Sequence, residues 1–306
     1  MSEHLKTHSG FMKYYHLMRP HTLTASFVPV LVGTACAKYF APIKIDLLIV
    51  MLIACLLIQA ATNMFNEYFD YKRGLDDHTS VGIGGAIVRN GMSPKTVYNL
   101  AIAFYVIAAI LGIYICMKSS WLVLIVGIIC MAVGYFYTGG PVPISWTPFG
   151  EIFAGFFMGF MIIMITFFIQ TGNYYHFYPA LMSIPVSINI GMINMANNIR
   201  DRVKDKASGR KTYVILVGKT FAVMTMAVLY LISFLIVFYA AFQNYGSWLL
   251  FIVILSGNLP IKAVRRFLRG DTPIELMPAM KVTGQFNTVF GFLFAFALYV
   301  IATLAI

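Results

Sequence analysis

The sequence predicts an all-α polytopic membrane protein of about nine transmembrane helices, and three observations carry that expectation. The 306 residues are 60% hydrophobic and only 11% charged, whereas a soluble domain of this size carries about 25% charged residues. Mean hydropathy is +0.81, so there is too little charge to coat a globule and most of the surface must face lipid. The apolar stretches are continuous and do not alternate, which selects helices over a β-barrel as the spanning element.

A spanning helix needs about 20 apolar residues. Nine stretches meet that length: 22–41, 46–65, 97–117, 119–138, 150–170, 175–196, 214–240, 246–264 and 284–305. Segment 1–21 has no apolar core before Arg19 and no small-residue cleavage site. It is expected to be an extramembrane segment and not a signal peptide, with 22–306 forming a single transmembrane domain. In "SVGIGGAIVRNG" the glycines Gly82, Gly84 and Gly85 follow no strand; they are expected to carry a loop across the mouth of a site. The helix after it should start at Ser93 as N-cap with Pro94 in the first turn. Cys36, Cys55, Cys116 and Cys130 all lie in apolar segments with no C-x-x-C pair, which reads as buried, reduced thiols.

With the N-terminus in the cytoplasm, threading nine helices sorts the basic residues sharply. Of the 22 Lys and Arg, only Lys38, Lys44 and Lys118 fall on the outer side, as the positive-inside rule requires. A net charge of +11 invites a nucleic-acid reading. Topology and the anionic inner leaflet explain it more simply, so no nucleic-acid partner is expected.

Under this threading the second and sixth helices end on the cytoplasmic face with the same signature, N-M-x-N-x-x-x-D. It reads "NMFNEYFD" at 63–70 and "NMANNIRD" at 194–201. Residues three and four apart share a helix face. Asn63, Asn66 and Asp70 therefore form one carboxamide–carboxylate ridge; Asn194, Asn197 or Asn198, Asp201 and Asp205 form another. Asp76 and Asp77 follow the first ridge, and Glu67 sits beside Asn66.

Two acidic ridges facing each other repel unless positive charge lies between them. Mg2+ suits the gap, because it prefers oxygen ligands, keeps waters and binds through one or two carboxylates plus substrate phosphates. Lys72, Arg73, Arg200, Arg202 and Lys211 interleave with the acids, as a diphosphate–magnesium complex requires. "GKT" at 218–220 is not a P-loop, since Tyr213 stands where the first glycine belongs.

These residues resemble the UbiA superfamily of intramembrane prenyltransferases. Its members carry N-D-x-x-D-x-x-x-D and D-x-x-x-D motifs at the cytoplasmic ends of the second and sixth of nine helices. Here the first motif reads Asn66-Glu67-x-x-Asp70-x-x-x-Gly74, with Asp76 displaced, and the second reads Asp201-x-x-x-Asp205. Four segments are most similar to the branch that prenylates 1,4-dihydroxy-2-naphthoate: "MRPHTLTASFVPVLVGTA", "NEYFDYKRGLDD…SVGIGGAIVRNG", "YFYTGGPVPISWTPFGEIFAGFFMG" and "NNIRDRVKDKASGRKTYVILVG".

The resemblance implies a UbiA-like bundle around a cavity open to the cytoplasmic side of the cell membrane. It implies Mg2+ as cofactor, with polyprenyl diphosphate and dihydroxynaphthoate as substrates. Asn66, Asp70, Asp201 and Asp205 would hold the magnesium–diphosphate complex, with Arg200, Lys211, Lys72, Arg73 and Asp76 around the diphosphate. Asn63, Asn197 and Asn198 would support the site or meet the aromatic substrate. Tyr137 would shield the allylic cation or orient the ring, or else is an interfacial-belt tyrosine. Arg19 would meet the naphthoate carboxylate or anchor the inner leaflet. Other acceptors, 4-hydroxybenzoate or homogentisate, remain the main alternative. A transporter is disfavoured because both signatures lie at one membrane end and not at the midplane.

Overall fold

The structure is a computed structural model that describes residues 10–76, 85–243 and 247–304. Asp77, Gly82 and Gly84 of the expected site loop lie outside the described residues, as do residues 1–9. Among the described residues the chain is helical throughout, with no strand.

A short helix α1 (Phe11–Leu17) leaves Phe11, Tyr14 and Tyr15 exposed and buries Leu17, the pattern of a segment lying at the membrane interface. The chain then turns at Arg19, which adopts φ 51, the one positive φ outside glycine among the described residues. The helices that follow are α2 (Thr24–Lys38), α3 (Ile45–Lys72), α4 (Pro94–Lys118), α5 (Leu122–Phe136), α6 (Gly150–Thr171) and α7 (Phe177–Ala207). The bundle closes with α8 (Lys219–Ala241), α9 (Trp248–Arg269) and α10 (Pro273–Leu304). Ser93 caps α4 as expected, accepting from the Thr96 amide at 3.1 Å, with Pro94 in the first turn.

Among the described residues the expected spans fall into two length classes. Seven helices among the described residues are long and apolar enough to cross a membrane, which makes this a multi-span membrane protein. The remaining two, α2 and α5, are apolar but have 15 residues each. That is about 22 Å of helix against a hydrocarbon core of about 30 Å. The turn at Pro20–Thr22 delays the start of α2, and Gly139, Gly140 and Pro141 stop the chain soon after α5. Helices α3 and α7 instead run on unbroken past the expected ends at 65 and 196, to Lys72 and Ala207. Both signatures therefore sit on rigid helix, not on loops.

Helix α2 packs centrally, touching α3, α6, α7 and α10. Beside it, Phe286 and Phe290 of α10 meet Tyr230 and Phe234 of α8 edge to face. On the other side, Phe65 of α3 packs edge to face on Tyr105 of α4 and Tyr135 of α5, with centroids 5.1 Å apart in each case. That cluster lies within the first signature and fixes the angle at which its polar face is presented.

Helix α6 widens into a π-helical turn at Gly155–Met161 and lies directly against α7. A Cβ on Gly159 would stand 2.5 Å from Ser187 Cα, and one on Gly155 2.6 Å from the Ser187 carbonyl. Close backbone approach over small residues is how membrane helices gain packing contact. Gly159→Val is accordingly expected to destabilise the protein by about 1–3 kcal/mol, read as a lower thermal midpoint in detergent. An unchanged midpoint would contradict the close α6–α7 contact.

Candidate active site

The C-terminal ends of α3 and α7 face each other across a cavity of about 1120 Å³. Its mouth is lined by Asn63, Asn66 and Asp70 from α3, by Asn194, Asn197, Asn198, Asp201 and Asp205 from α7, and by Asp76 just beyond α3. Further in, the walls become apolar, with Met51, Cys55 and Ile58 of α3 facing Ala108 and Gly112 of α4 and Gly127 and Cys130 of α5. One chamber therefore joins a polar mouth to an apolar corridor.

The charge between the acidic ridges comes from Arg210, in the loop after α7. Its guanidinium reaches Asp70 at 2.7 Å and Asp205 at 3.2 Å, so a single side chain bridges the two signatures. Burial works against its charge, yet the surrounding carboxylates, Asp70 and Asp205 foremost, together outweigh burial and hold its pKa above the ordinary value. Its guanidinium also lies 5.8 Å from the Trp146 ring, a cation–π contact. Asp76 shows the opposite stress. Burial, then the charges of Asp70 and Glu67, push its carboxyl up to about 6.

Arg200 is tied to Asp201 by two hydrogen bonds of 2.6 and 2.5 Å, with its other nitrogen on the sulfurs of Met277 and Met280. Glu67, at 2% exposure, pairs with Arg19 at 3.2 Å and accepts from the Ile87 amide at 3.4 Å. Arg19 holds its left-handed backbone beside this pair, a costly conformation of the kind found where a side chain must be aimed. Glu67 is thus engaged by a cation, while Asn66 Oδ1 is buried with no hydrogen-bond partner among the described residues.

The other expected residues divide into two groups. Tyr137 lines the cavity, with its hydroxyl 3.4 Å from the Gly150 carbonyl. Asn198 lines it too, and its amide donates to the buried Glu151 at 2.8 Å. Asn63 donates to the Met18 carbonyl and to Thr22 Oγ1, both at 2.9 Å, tying the N-terminal turn to α3. Gly85 reaches the wall in a left-handed conformation, φ 81, with Arg89 folded over it.

Lys72, Arg73 and Lys211 are not brought to the cavity wall. Lys72 is exposed and lies over Tyr68. Arg73 donates to the carbonyls of Thr138 and Gly140, holding the loop after α5. Lys211 is exposed, and its backbone amide is anchored on the Trp146 carbonyl at 2.8 Å. Arg210, one residue earlier, takes the inward place. Sequence reasoning missed it because spacing along a loop does not say which of two adjacent basic residues turns inward.

An oxygen-rich mouth with an orphaned carboxamide fits a hard cation. Among the described residues no three His, Cys, Asp or Glu side chains form a closed cage. The donor set therefore suits an ion that shares its coordination with water and substrate phosphates.

The sequence pattern of the UbiA prenyltransferase family matches residues 26–284. The chain belongs to the UbiA prenyltransferase family. Like the 1,4-dihydroxy-2-naphthoate octaprenyltransferase of Bacillus subtilis (strain 168), this UbiA-family chain is a prenyltransferase; the two are 50% identical over 286 residues, covering 94% of this chain and 92% of that protein. It is 28% identical to the human UbiA prenyltransferase domain-containing protein 1, over 73% of this chain and 66% of that one. The fold is shared with a UbiA homolog from Archaeoglobus fulgidus bound to GPP and Mg2+, at a TM-score of 0.64 and 16% identity, over 94% of this chain and 99% of that chain. A UbiA homolog from Aeropyrum pernix K1 gives a TM-score of 0.69 at 12% identity, over 89% and 96%.

Proposed function

We propose that this enzyme transfers a polyprenyl group from polyprenyl diphosphate to 1,4-dihydroxy-2-naphthoate, releasing diphosphate and CO2. The observation that carries the acceptor is the 50% identity to the Bacillus subtilis octaprenyltransferase over 94% of the chain. The cavity supports the donor: from Asp70 to Met51 the α3 wall runs about 28 Å, and its deep end at Met51 and Cys55 is apolar.

Asn66, Asp70, Asp201 and Asp205 would hold Mg2+, which when bound supplies positive charge against the diphosphate. Arg210 and Arg200 add fixed positive charge beside the phosphates, so the allylic C–O pair leaves with diphosphate. The apolar corridor excludes water from the resulting cation. Tyr137 and the asparagines of α7 line the space in which the ring is held. The new C–C bond forms at the ring carbon that bears the carboxylate. That carboxylate departs as CO2, and its bonding pair restores the aromatic ring, giving demethylmenaquinol; later oxidation gives demethylmenaquinone. The distribution of the basic residues supports a mouth on the cytoplasmic face of the cell membrane.

Acceptor labelled at the carboxyl carbon tests the chemistry. One CO2 released per prenylated product is the expected stoichiometry. Prenylated product that retains the label would remove the decarboxylative reading.

A further inference from the structure

Helix α3 presents two distinct stripes to the cavity. Asn63, Asn66 and Asp70 belong to a polar one whose 4–3 spacing, carried one turn deeper into the membrane, reaches Gln59. Met51, Cys55, Ile58 and Thr62 form the second, turned about 100° around the helix, and it faces the corridor between α4 and α5. The corridor suits an isoprenoid tail; a Gln59 amide does not belong beside one.

Ser26 lines the same chamber as Gln59. The α2–α3 hairpin is antiparallel, and its register is set by the hydrogen bond from Asn63 to Thr22 Oγ1 at 2.9 Å. One turn further along each arm of the hairpin, Ser26 follows Thr22 and Gln59 precedes Asn63. Ser26 is 1% exposed and its Oγ is buried without a hydrogen bond to the described residues. Gln59 is 9% exposed and makes no hydrogen bond to the described residues. A buried unpaired hydroxyl beside a cavity is costly, and such polar groups within a membrane-spanning bundle mark ligand sites.

We propose that Ser26 and Gln59 form a hydrogen-bonding subsite for the acceptor, binding the ring hydroxyl remote from the carbon that is prenylated. The subsite is uncharged, so it suits a neutral hydroxyl and not a carboxylate or phosphate. The amide can accept from that hydroxyl and donate to it, and Ser26 Oγ can complete the set. The inference rests on the dihydroxynaphthoate reading above. It adds how the enzyme distinguishes a dihydroxy ring from a monohydroxy one: the hydroxyl-lacking analogue leaves both groups unpaired.

The test measures three constants in wild type, Gln59→Leu and Ser26→Ala: KM for 1,4-dihydroxy-2-naphthoate, KM for the prenyl diphosphate, and the inhibition constant of 1-hydroxy-2-naphthoate. In Gln59→Leu the acceptor KM is expected to rise about tenfold, with the other two constants within twofold of wild type. Ser26→Ala, which removes one atom, should move the acceptor KM the same way by a smaller factor. An unchanged acceptor KM in both variants overturns the subsite while leaving the acceptor reading intact. A parallel rise of all three constants also overturns it, as the mark of a structural role. Wild-type enzyme that ignores dihydroxynaphthoate overturns the acceptor reading and the subsite with it.

Discussion

Arg210→Ala is expected to lower stability by about 3 kcal/mol in the absence of Mg2+, because it leaves Asp70 and Asp205 facing each other without their shared cation. Adding Mg2+ should restore most of that loss, since a divalent ion between the same carboxylates replaces the missing charge. In wild type the ion must compete with the guanidinium, so Mg2+ should raise the thermal midpoint of the variant more than that of the parent. Prenyl transfer should still fall by on the order of 10²-fold, because one preorganised donor to the leaving diphosphate is gone. A thermal-shift titration with and without Mg2+ reads the first effect and steady-state kinetics the second. Equal Mg2+ responses in the two proteins would contradict the bridge.

Asp70→Asn should have the larger effect on catalysis. The substitution keeps the shape of the side chain but removes the charge from the one residue that both continues the α3 polar face and touches Arg210. Transfer is expected to fall by on the order of 10³-fold or more at millimolar Mg2+. The loss should ease as Mg2+ is raised, because Asp201 and Asp205 remain on the facing helix. KM for the aromatic acceptor should stay near wild type, since the change lies at the phosphate end of the chamber. A variant that retains near-normal rate would remove Asp70 from the diphosphate site.

The features legible in the sequence are those set by helical spacing. Asn63, Asn66 and Asp70 share a face because residues four and three apart must, and the same holds for Asn197, Asp201 and Asp205. The structure places both sets on the lining of one cavity. Charge asymmetry was legible for a different reason, as lysine and arginine resist transfer across the membrane.

What the sequence hid depends on tertiary approach. Arg210 and Lys211 are equally basic neighbours, and only the turn after α7 decides which faces Asp70. Arg73 lies near Asp70 in sequence, yet it is drawn to the carbonyls of Thr138 and Gly140. Glu67 stands where an aspartate is usual in the resembled motif, and its longer side chain finds Arg19, 48 residues away. Gln59 was within reach of sequence reasoning: it lies one more step along the spacing that picked out Asn63. The lengths of α2 and α5 were misjudged because apolar composition continues into the turns that end those helices.

The most direct test of the account is a prenyl-transfer assay on the purified protein in nanodiscs, with a polyprenyl diphosphate, Mg2+ and either 1,4-dihydroxy-2-naphthoate or 4-hydroxybenzoate, each repeated in EDTA. The account predicts a prenylated naphthalene product with Mg2+, none in EDTA and none from hydroxybenzoate. Prenylated hydroxybenzoate in place of the naphthalene product would contradict the acceptor, and turnover undiminished in EDTA would contradict the two-ridge metal–diphosphate clamp.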